Sequence, residues 1–178
     1  MAAVTLPDYL RPGLKLVFTG LNPGLYSAQR GKYFARRTNR FWPALSAANF
    51  FGRNVSAGDE GLLFEQGIGF TDIVKRPTAQ IDELTPEEII AGVKTFRRKI
   101  EKFSPAAICF LGITGFRWVF QVPAKNKLDP GPQLETIGAA RIYVLPSPSP
   151  ANAHYSLAAI VEECRQLKRW LHHLGIEF

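Results

Sequence analysis

Short apolar runs alternate with longer amphipathic stretches along this chain, a pattern typical of strands that alternate with helices. The runs at 105–112 and 141–145 are almost wholly apolar, and the stretch at 16–24 begins as a buried strand and then stops on a tight turn. Strands without polar alternation are typical of parallel sheets with both faces covered. A further strand or extended segment is predicted at 69–78, ending in a basic turn stopped by proline.

Helical periodicity is clearest after Thr85, which can cap a helix while Glu88 completes a capping box. The apolar stripe that follows at helical spacing consists of Ile89, Val93, Phe96, Ile100 and Phe103. The other predicted helices are one that begins near 38–39, two short ones at 62–66 and 116–120, and a last one over 156–174. The stretches 25–38 and 122–134 are predicted as loops because glycine, proline and polar residues interrupt any period.

These elements predict one domain over 1–178 with an α/β fold, a three-layer α/β/α sandwich around a short, mainly parallel central sheet. Of the 178 residues 46% are apolar or aromatic, which is enough for a single core. In such a sheet the segments after the strands at 16–20 and 141–145 lie at the same edge, where ligands bind.

The first of these segments presents one amide side chain. Pro23 restricts Asn22, and the glycines on either side, Gly20 and Gly24, allow a tight turn. Asn22 is therefore a candidate functional residue at the end of the first strand. The alternative is an ordinary strand-to-loop turn in which asparagine occurs only because it favours turns.

Three other stretches contain candidate binding residues. The predicted loop at 25–38 places basic side chains beside Tyr26, Tyr33 and Phe34, a combination that nucleic-acid pockets use, although Phe34 could instead be tucked under the loop. The segment at 146–154 alternates proline with serine, which suits a rigid grip on a phosphate chain. Asp72, in an apolar segment, is expected to pair with a backbone N–H or with a basic neighbour.

Charge and composition narrow the classes of function. The net charge of +7 suggests an acidic partner, with nucleic acid first, although a solvated basic surface is the simpler alternative. Cys109 and Cys164 form neither a disulfide framework nor a metal or iron–sulfur quartet, so buried thiols in a reducing compartment are expected. The chain has no leader, membrane-span or nucleotide-loop pattern, which predicts a soluble, cytoplasmic protein without a metal or cofactor.

Four motifs resemble one branch of a known enzyme family. They are Gly20-Leu21-Asn22-Pro23-Gly24-Leu25, Phe34-Ala35, Asn39-Arg40-Phe41-Trp42 and Leu145-Pro146-Ser147-Pro148-Ser149. Their order and spacing are similar to those of the mismatch-specific uracil and thymine-DNA glycosylases, within the uracil-DNA glycosylase superfamily. The similarity extends from about residue 12 to residue 171.

The resemblance implies a monomeric, monofunctional DNA repair enzyme. It would flip uracil, or another damaged or mismatched pyrimidine, out of nucleoid DNA and hydrolyse the N-glycosidic bond, leaving an abasic site. Two alternatives stay open: a non-catalytic binder of damaged or single-stranded DNA, and a hydrolase of small nucleosides.

The resemblance also implies roles for individual residues. Asn22 would hold the attacking water, and the N–H groups near Leu21 and Phe34 would stabilise the departing base. The implied base pocket consists of Leu21, Ser27, Tyr33, Phe34, Asp72 and Thr78, with Phe34 stacking on the base. The implied DNA-binding loop consists of Ser147, Pro148, Ser149, Pro150, Ala151 and Asn152.

Three residues depart from the family pattern. Asp72 lies where relatives have lysine or asparagine, Ser147 replaces an asparagine of the bacterial enzymes, and Ala151 lies where relatives insert a larger side chain. These departures affect the expected substrate range and duplex preference, and leave the expected reaction unchanged.

Overall fold

The computed structural model describes residues 4–178, so positions 1–3 of the predicted domain lie outside the described part. Five strands form one sheet: β1 (Leu16–Gly20), β2 (Ile68–Asp72), β3 (Ala107–Leu111), β4 (Gly131–Ile137) and β5 (Ala140–Leu145). Six helices surround it: α1 (Leu25–Arg30), α2 (Phe41–Ala47), α3 (Glu60–Glu65), α4 (Pro86–Phe103), α5 (Ile113–Phe120) and α6 (Leu157–His173). A short 3-10 helix covers Ile81–Glu83.

The strand order is β2-β1-β3-β5-β4, and every neighbouring pair is parallel except β4 with β5. Alternate side chains of the buried strands enter two separate cores. Phe18, Cys109 and Tyr143 pack with α2, α3 and α6 on one face, whereas Ile108 and Phe110 pack with α4 and α5 on the other. The predicted three-layer α/β/α fold with a mainly parallel sheet is confirmed.

The two long helices begin where their sequences predict. The Thr85 hydroxyl accepts a hydrogen bond from the Glu88 N–H at 3.2 Å, and the Glu88 carboxylate accepts one from the Thr85 N–H at 2.8 Å. In α6 the Ser156 hydroxyl accepts from the Ala159 N–H at 3.1 Å. These side chains satisfy N–H groups that the first turn of a helix leaves without partners.

Two predicted loops contain regular structure. The first half of 25–38 is α1, which ends at Gly31 with a φ of 65°, an angle that glycine accepts without strain. The end of 122–134 begins β4, which lies at the edge of the described sheet beside β5 and has several exposed side chains. Pro132 fits an edge position because its missing N–H breaks no internal ladder. Neither element is long or periodic enough for its sequence to indicate it.

Two other element boundaries also differ from the prediction. The extended segment predicted at 69–78 is a strand only to Asp72; the rest bends irregularly until Thr78, which forms a single bridge to Gly24. The helix predicted from 38–39 begins at Phe41, whose N–H donates to the Asn39 side chain at 2.9 Å. Both cysteines are buried and free. Among residues 4–178, no helix is long and apolar enough to cross a membrane.

Candidate active site

A pocket of about 260 Å³ lies at the carboxyl ends of the parallel strands, where β1 ends at Gly20, β2 at Asp72 and β3 at Leu111. Its lining residues are Leu6, Gly20, Leu21, Asn22, Pro23, Gly24, Ser27, Tyr33, Phe34, Asn39, Asp72, Thr78, Ala79, Gln80, Ile81, Leu111, Gly112, Thr114, Gly115, Ser147, Pro148 and Ser149. The pocket therefore brings together the turn at Asn22 and the loop at 146–154, as their predicted positions at one sheet edge require.

Asn22 is half-buried, and its side-chain nitrogen makes two hydrogen bonds. Nδ2 donates to the Arg76 carbonyl at 2.9 Å and to the Thr78 hydroxyl at 2.8 Å. A backbone carbonyl can only accept, so the amide group must direct its nitrogen toward Arg76. Both N–H donors are then used, and Oδ1 remains as a hydrogen-bond acceptor on a fixed group that lines the pocket.

Thr78 fixes the segment that orients Asn22. Its N–H donates to the Pro23 carbonyl at 3.1 Å, and its own carbonyl accepts from the Leu25 N–H at 3.1 Å. Nearby, the Arg76 guanidinium binds the Glu88 carboxylate at 2.6 Å. Thr78 is buried, lines the pocket and accepts a hydrogen bond from Asn22, so it positions the amide as well as shaping the cavity.

Asp72 is the buried charged group of the pocket. Its side chain is only 3% exposed, and its Oδ2 has no hydrogen-bond partner within residues 4–178. The nearest cation is the Lys75 ammonium, 3.8 Å from Oδ2. Burial raises the pKa of Asp72 to about 7, against the opposing attraction of Lys75. The basic partner expected from the sequence is present, but beyond hydrogen-bond distance.

Phe34 lies between the pocket and the core. Its backbone has a φ of 51°, which is rare for a residue with a side chain, and its ring packs 4.2 Å from that of Phe41. The Ser27 hydroxyl holds the following residue by accepting from the Ala35 N–H at 3.0 Å. Phe34 is half-buried and lines the pocket, so its ring reaches the cavity while it also packs against the core.

Tyr33 differs from its expected role as a flat, accessible stacking surface. It lines the pocket, but it is 1% exposed, and its hydroxyl donates to the Pro7 carbonyl at 2.9 Å. Its own carbonyl accepts from the Trp42 indole N–H at 2.8 Å. Tyr33 is therefore a core residue that forms part of the pocket wall, and its ring packs against Phe70 of β2 in the core.

The loop at 146–154 is held in place by Arg40. Its guanidinium donates to the carbonyls of Ser149 at 2.7 Å and Asn152 at 2.9 Å, and also to those of Pro148 and Tyr155. A guanidinium has five N–H donors in a rigid fork, which suits a cluster of carbonyl groups. Arg40 thus fixes the loop geometry, a role that its position in the Asn-Arg-Phe-Trp motif did not reveal.

The loop residues divide into two groups. Ser147, Pro148 and Ser149 line the pocket, whereas Pro150, Ala151 and Asn152 lie beyond the lining. Asn152 belongs to the implied DNA-binding loop, but its side chain does not face outward to DNA alone. Its Nδ2 instead donates to the Ser147 carbonyl at 3.0 Å, and its Oδ1 accepts from the His154 N–H at 3.3 Å. Its side chain therefore stabilises the loop internally.

Several lining residues carried no functional signal in the sequence. Asn39 was given no role in the pocket beyond its place in the Asn-Arg-Phe-Trp motif, and Thr114 lies at the start of α5. Gln80 and Ile81 reach the pocket at the start of the 3-10 helix, and Ile81 is 50% exposed. Their proximity depends on the path of the chain after β2, which local sequence patterns do not specify. No three His, Cys, Asp or Glu side chains form a metal-binding group among residues 4–178.

Comparisons with known proteins agree with this architecture. Residues 7–175 match the model of the family described as the uracil DNA glycosylase superfamily. Among solved structures, the fold is similar to the solution NMR structure of a candidate uracil DNA glycosylase from Methanosarcina acetivorans. The two chains are 21% identical, the TM-score is 0.64, and the match covers 95% of this chain and 98% of the other.

Proposed function

This chain belongs to the uracil DNA glycosylase superfamily, and from that membership we propose that it excises uracil from DNA as a monofunctional glycosylase of the mismatch-specific branch. The observation that supports this most directly is the fixed amide of Asn22. Its nitrogen donates to Arg76 and Thr78, which leaves its oxygen as the free acceptor of a residue that lines the pocket at the strand ends. We infer that this oxygen binds the attacking water.

The proposed reaction is hydrolysis of the bond between the base and its sugar. The sugar gains positive charge as the base departs as an anion, and water then attacks the anomeric carbon. Asn22 would orient that water, and the N–H groups near Leu21 and Phe34 would stabilise the negative charge on the base. An amide is not a general base, so this arrangement forgoes about 10²–10⁴-fold in rate relative to a well-placed carboxylate. A slow enzyme is expected.

The dimensions of the pocket suit a single base. Its volume of about 260 Å³ is below the range of roughly 300–1,000 Å³ found for sites that bind drug-sized ligands. A target nucleotide would therefore insert its base while its sugar and phosphates stay at the rim. The half-buried ring of Phe34 lines the wall, where it can stack on the flipped base.

Asp72 is the residue that we propose selects uracil. Uracil has an N3–H donor and neutral cytosine does not, so an ionised carboxylate at the pocket edge favours uracil. Asp72 lines the pocket, so its carboxylate can provide that acceptor. Because the pKa of Asp72 is about 7, the ionised fraction and therefore the preference for uracil should rise between pH 6 and pH 8.

The proposed partner is DNA that contains uracil or another damaged or mismatched pyrimidine, bound by a monomer without a cofactor. The net charge of +7 favours binding to the phosphate backbone. The serines at 147 and 149 reach the pocket rim, where their hydroxyl groups can donate to phosphate oxygens. The small side chain of Ala151 offers little apolar surface to fill the gap left by a flipped base.

A non-catalytic binder of damaged DNA is the rival function, and one experiment separates it from a glycosylase. The protein is incubated with a uracil-containing oligonucleotide, and abasic sites are then cleaved with alkali. Alkali-dependent breaks at the uracil position support the proposal. A retarded complex without such breaks on single-stranded, U·G or U·A substrates identifies a binder and contradicts it. Release of uracil from free deoxyuridine, but not from DNA, would identify a nucleoside hydrolase.

A further inference from the structure

A chain of charged side chains extends behind the pocket from Asp72. The Lys75 ammonium lies 3.8 Å from Asp72 Oδ2 but only 2.8 Å from Asp8 Oδ1. Asp8 Oδ2 in turn accepts from the Lys99 ammonium at 2.5 Å, which links this group to α4. Two carboxylates therefore face one lysine, and the lysine forms its hydrogen bond with Asp8.

Asp8 is well supplied with donors, whereas Asp72 is not. Besides the two lysines, the Thr71 hydroxyl donates to Asp8 Oδ1 at 2.8 Å. Burial opposes ionisation of Asp8, but the hydrogen bonds from Lys75 and Lys99 outweigh it and lower the pKa of Asp8. The buried Asp72 Oδ2 has no hydrogen-bond partner within the described chain. Burying a carboxylate oxygen without a hydrogen-bond donor lowers the free energy of unfolding.

The geometry points to Asp8 as a positioning residue: it holds the Lys75 ammonium away from Asp72, so that the carboxylate of this pocket-lining residue stays free of an ion pair and can meet a donor on the bound base. This inference rests on the proposed function, because it assumes that Asp72 contacts the base. If Asp8 did not engage Lys75, the ammonium could move the short distance to Asp72 Oδ2 and form an ion pair with the carboxylate that the base needs.

The charged and titratable groups that influence Asp72 are Asp8, Tyr33, Lys75 and Lys99. The negative charge of Asp8 raises the pKa of Asp72, and the positive charge of Lys75 lowers it, both in addition to the larger effect of burial. Loss of either partner should therefore shift the titration of Asp72, and the two losses should shift it in opposite directions. A merely structural role for Asp8 would not produce opposed shifts.

The test measures the titration midpoint of Asp72 by carboxyl ¹³C NMR on the full chain, with Asp72→Asn identifying the resonance. Asp8→Asn should lower the midpoint by about one pH unit, and Lys75→Gln should raise it by a similar amount, since charges within 4–6 Å shift a carboxyl by about 1–3 units. The matched control Lys94→Gln removes an exposed cation of α4 outside the charged chain, and should leave the midpoint unchanged.

A double variant distinguishes positioning from charge alone. If Asp8 acts through Lys75, Asp8→Asn should lower the midpoint less than half as much in the Lys75→Gln background. An equal shift in both backgrounds, or no lowering by Asp8→Asn alone, overturns the inference. The NMR readout does not depend on activity, so the proposed function is tested separately by uracil excision. If the Asp72 midpoint shifts as predicted but the wild type does not excise uracil, the proposed function is contradicted and the role of Asp8 in positioning Lys75 is not.

Discussion

Replacing Asp72 by asparagine should stabilise the fold at alkaline pH while impairing selection of the base. Asp72 lies 3% exposed beside one lysine, and burial raises its pKa from 3.8 to about 7. Its folded-state pKa exceeds its unfolded value, so the native state binds the proton more tightly between those pH values. The free energy of unfolding should therefore fall as pH rises from about 4 to 7.

The size of this effect follows from the pKa difference. At 1.36 kcal/mol per pH unit, ionised Asp72 destabilises the native state by on the order of 4 kcal/mol as an upper bound. Asparagine has nearly the same shape and stays neutral, but it leaves Lys75 without one of its two nearby carboxylates. We expect Asp72→Asn to gain at least about 1 kcal/mol over the wild type at pH 8, and less than half of that gain at pH 5.

Urea unfolding at pH 5, 6, 7 and 8 measures the difference, with Asp82→Asn as a control on the exposed 3-10 helix. The stability gap for Asp72→Asn should widen with pH, while the gap for Asp82→Asn stays constant. A constant stability gap for Asp72→Asn, or lower stability than the wild type at pH 8, would refute the reasoning.

The same variant should excise uracil with a weaker preference over cytosine, because an amide can present either a donor or an acceptor. Unchanged discrimination would remove Asp72 from base selection.

Three further predictions concern the pocket walls. Phe34→Ala should remove about 1–3 kcal/mol of stacking on the base. It should slow excision far more than Phe51→Ala, a control at a half-buried core position. If the main effect of Phe34→Ala is a lower Tm, Phe34 is a core residue only. Arg40→Ala should make the loop at 146–154 more mobile, which would be measured as faster amide hydrogen exchange in the loop and slower excision from DNA. Unchanged exchange would show that other contacts hold the loop. Single-turnover excision should be faster on single-stranded and U·G substrates than on U·A, and Ala151→Arg should narrow that difference. Equal rates on all three substrates, unaffected by the substitution, would show that this loop does not determine which DNA is cleaved.

Much of the fold could be predicted because its buried strands leave a simple pattern. β1, β3 and β5 are covered on both faces, so their sequences are continuous apolar runs, and their shared direction places Asn22 and Ser147 at one edge. β4 could not be found in this way, because an exposed edge strand with a proline lacks both apolar continuity and alternation.

The contacts that give the pocket its chemistry depend on distant parts of the chain. Asn22 and Thr78 are 56 positions apart, and Arg40 contacts carbonyl groups more than 100 positions away. The sequence indicated the residue types but not which side-chain atoms would be occupied. Burial of Asp72, and the competition of Asp8 for Lys75, likewise arise only when β2 and the N-terminal segment are packed together.

The central claim is that the Asn22 amide positions water for hydrolysis of the glycosidic bond. Its most direct test is single-turnover excision from a uracil-containing oligonucleotide, measured together with the Kd for the same DNA. Asn22→Ala should lose most excision, by at least about 10²-fold, and retain a Kd near that of the wild type. The matched control Asn126→Ala, at an exposed turn outside the pocket, should retain both. Parallel loss of binding and excision in Asn22→Ala, or excision that survives it, would contradict the account.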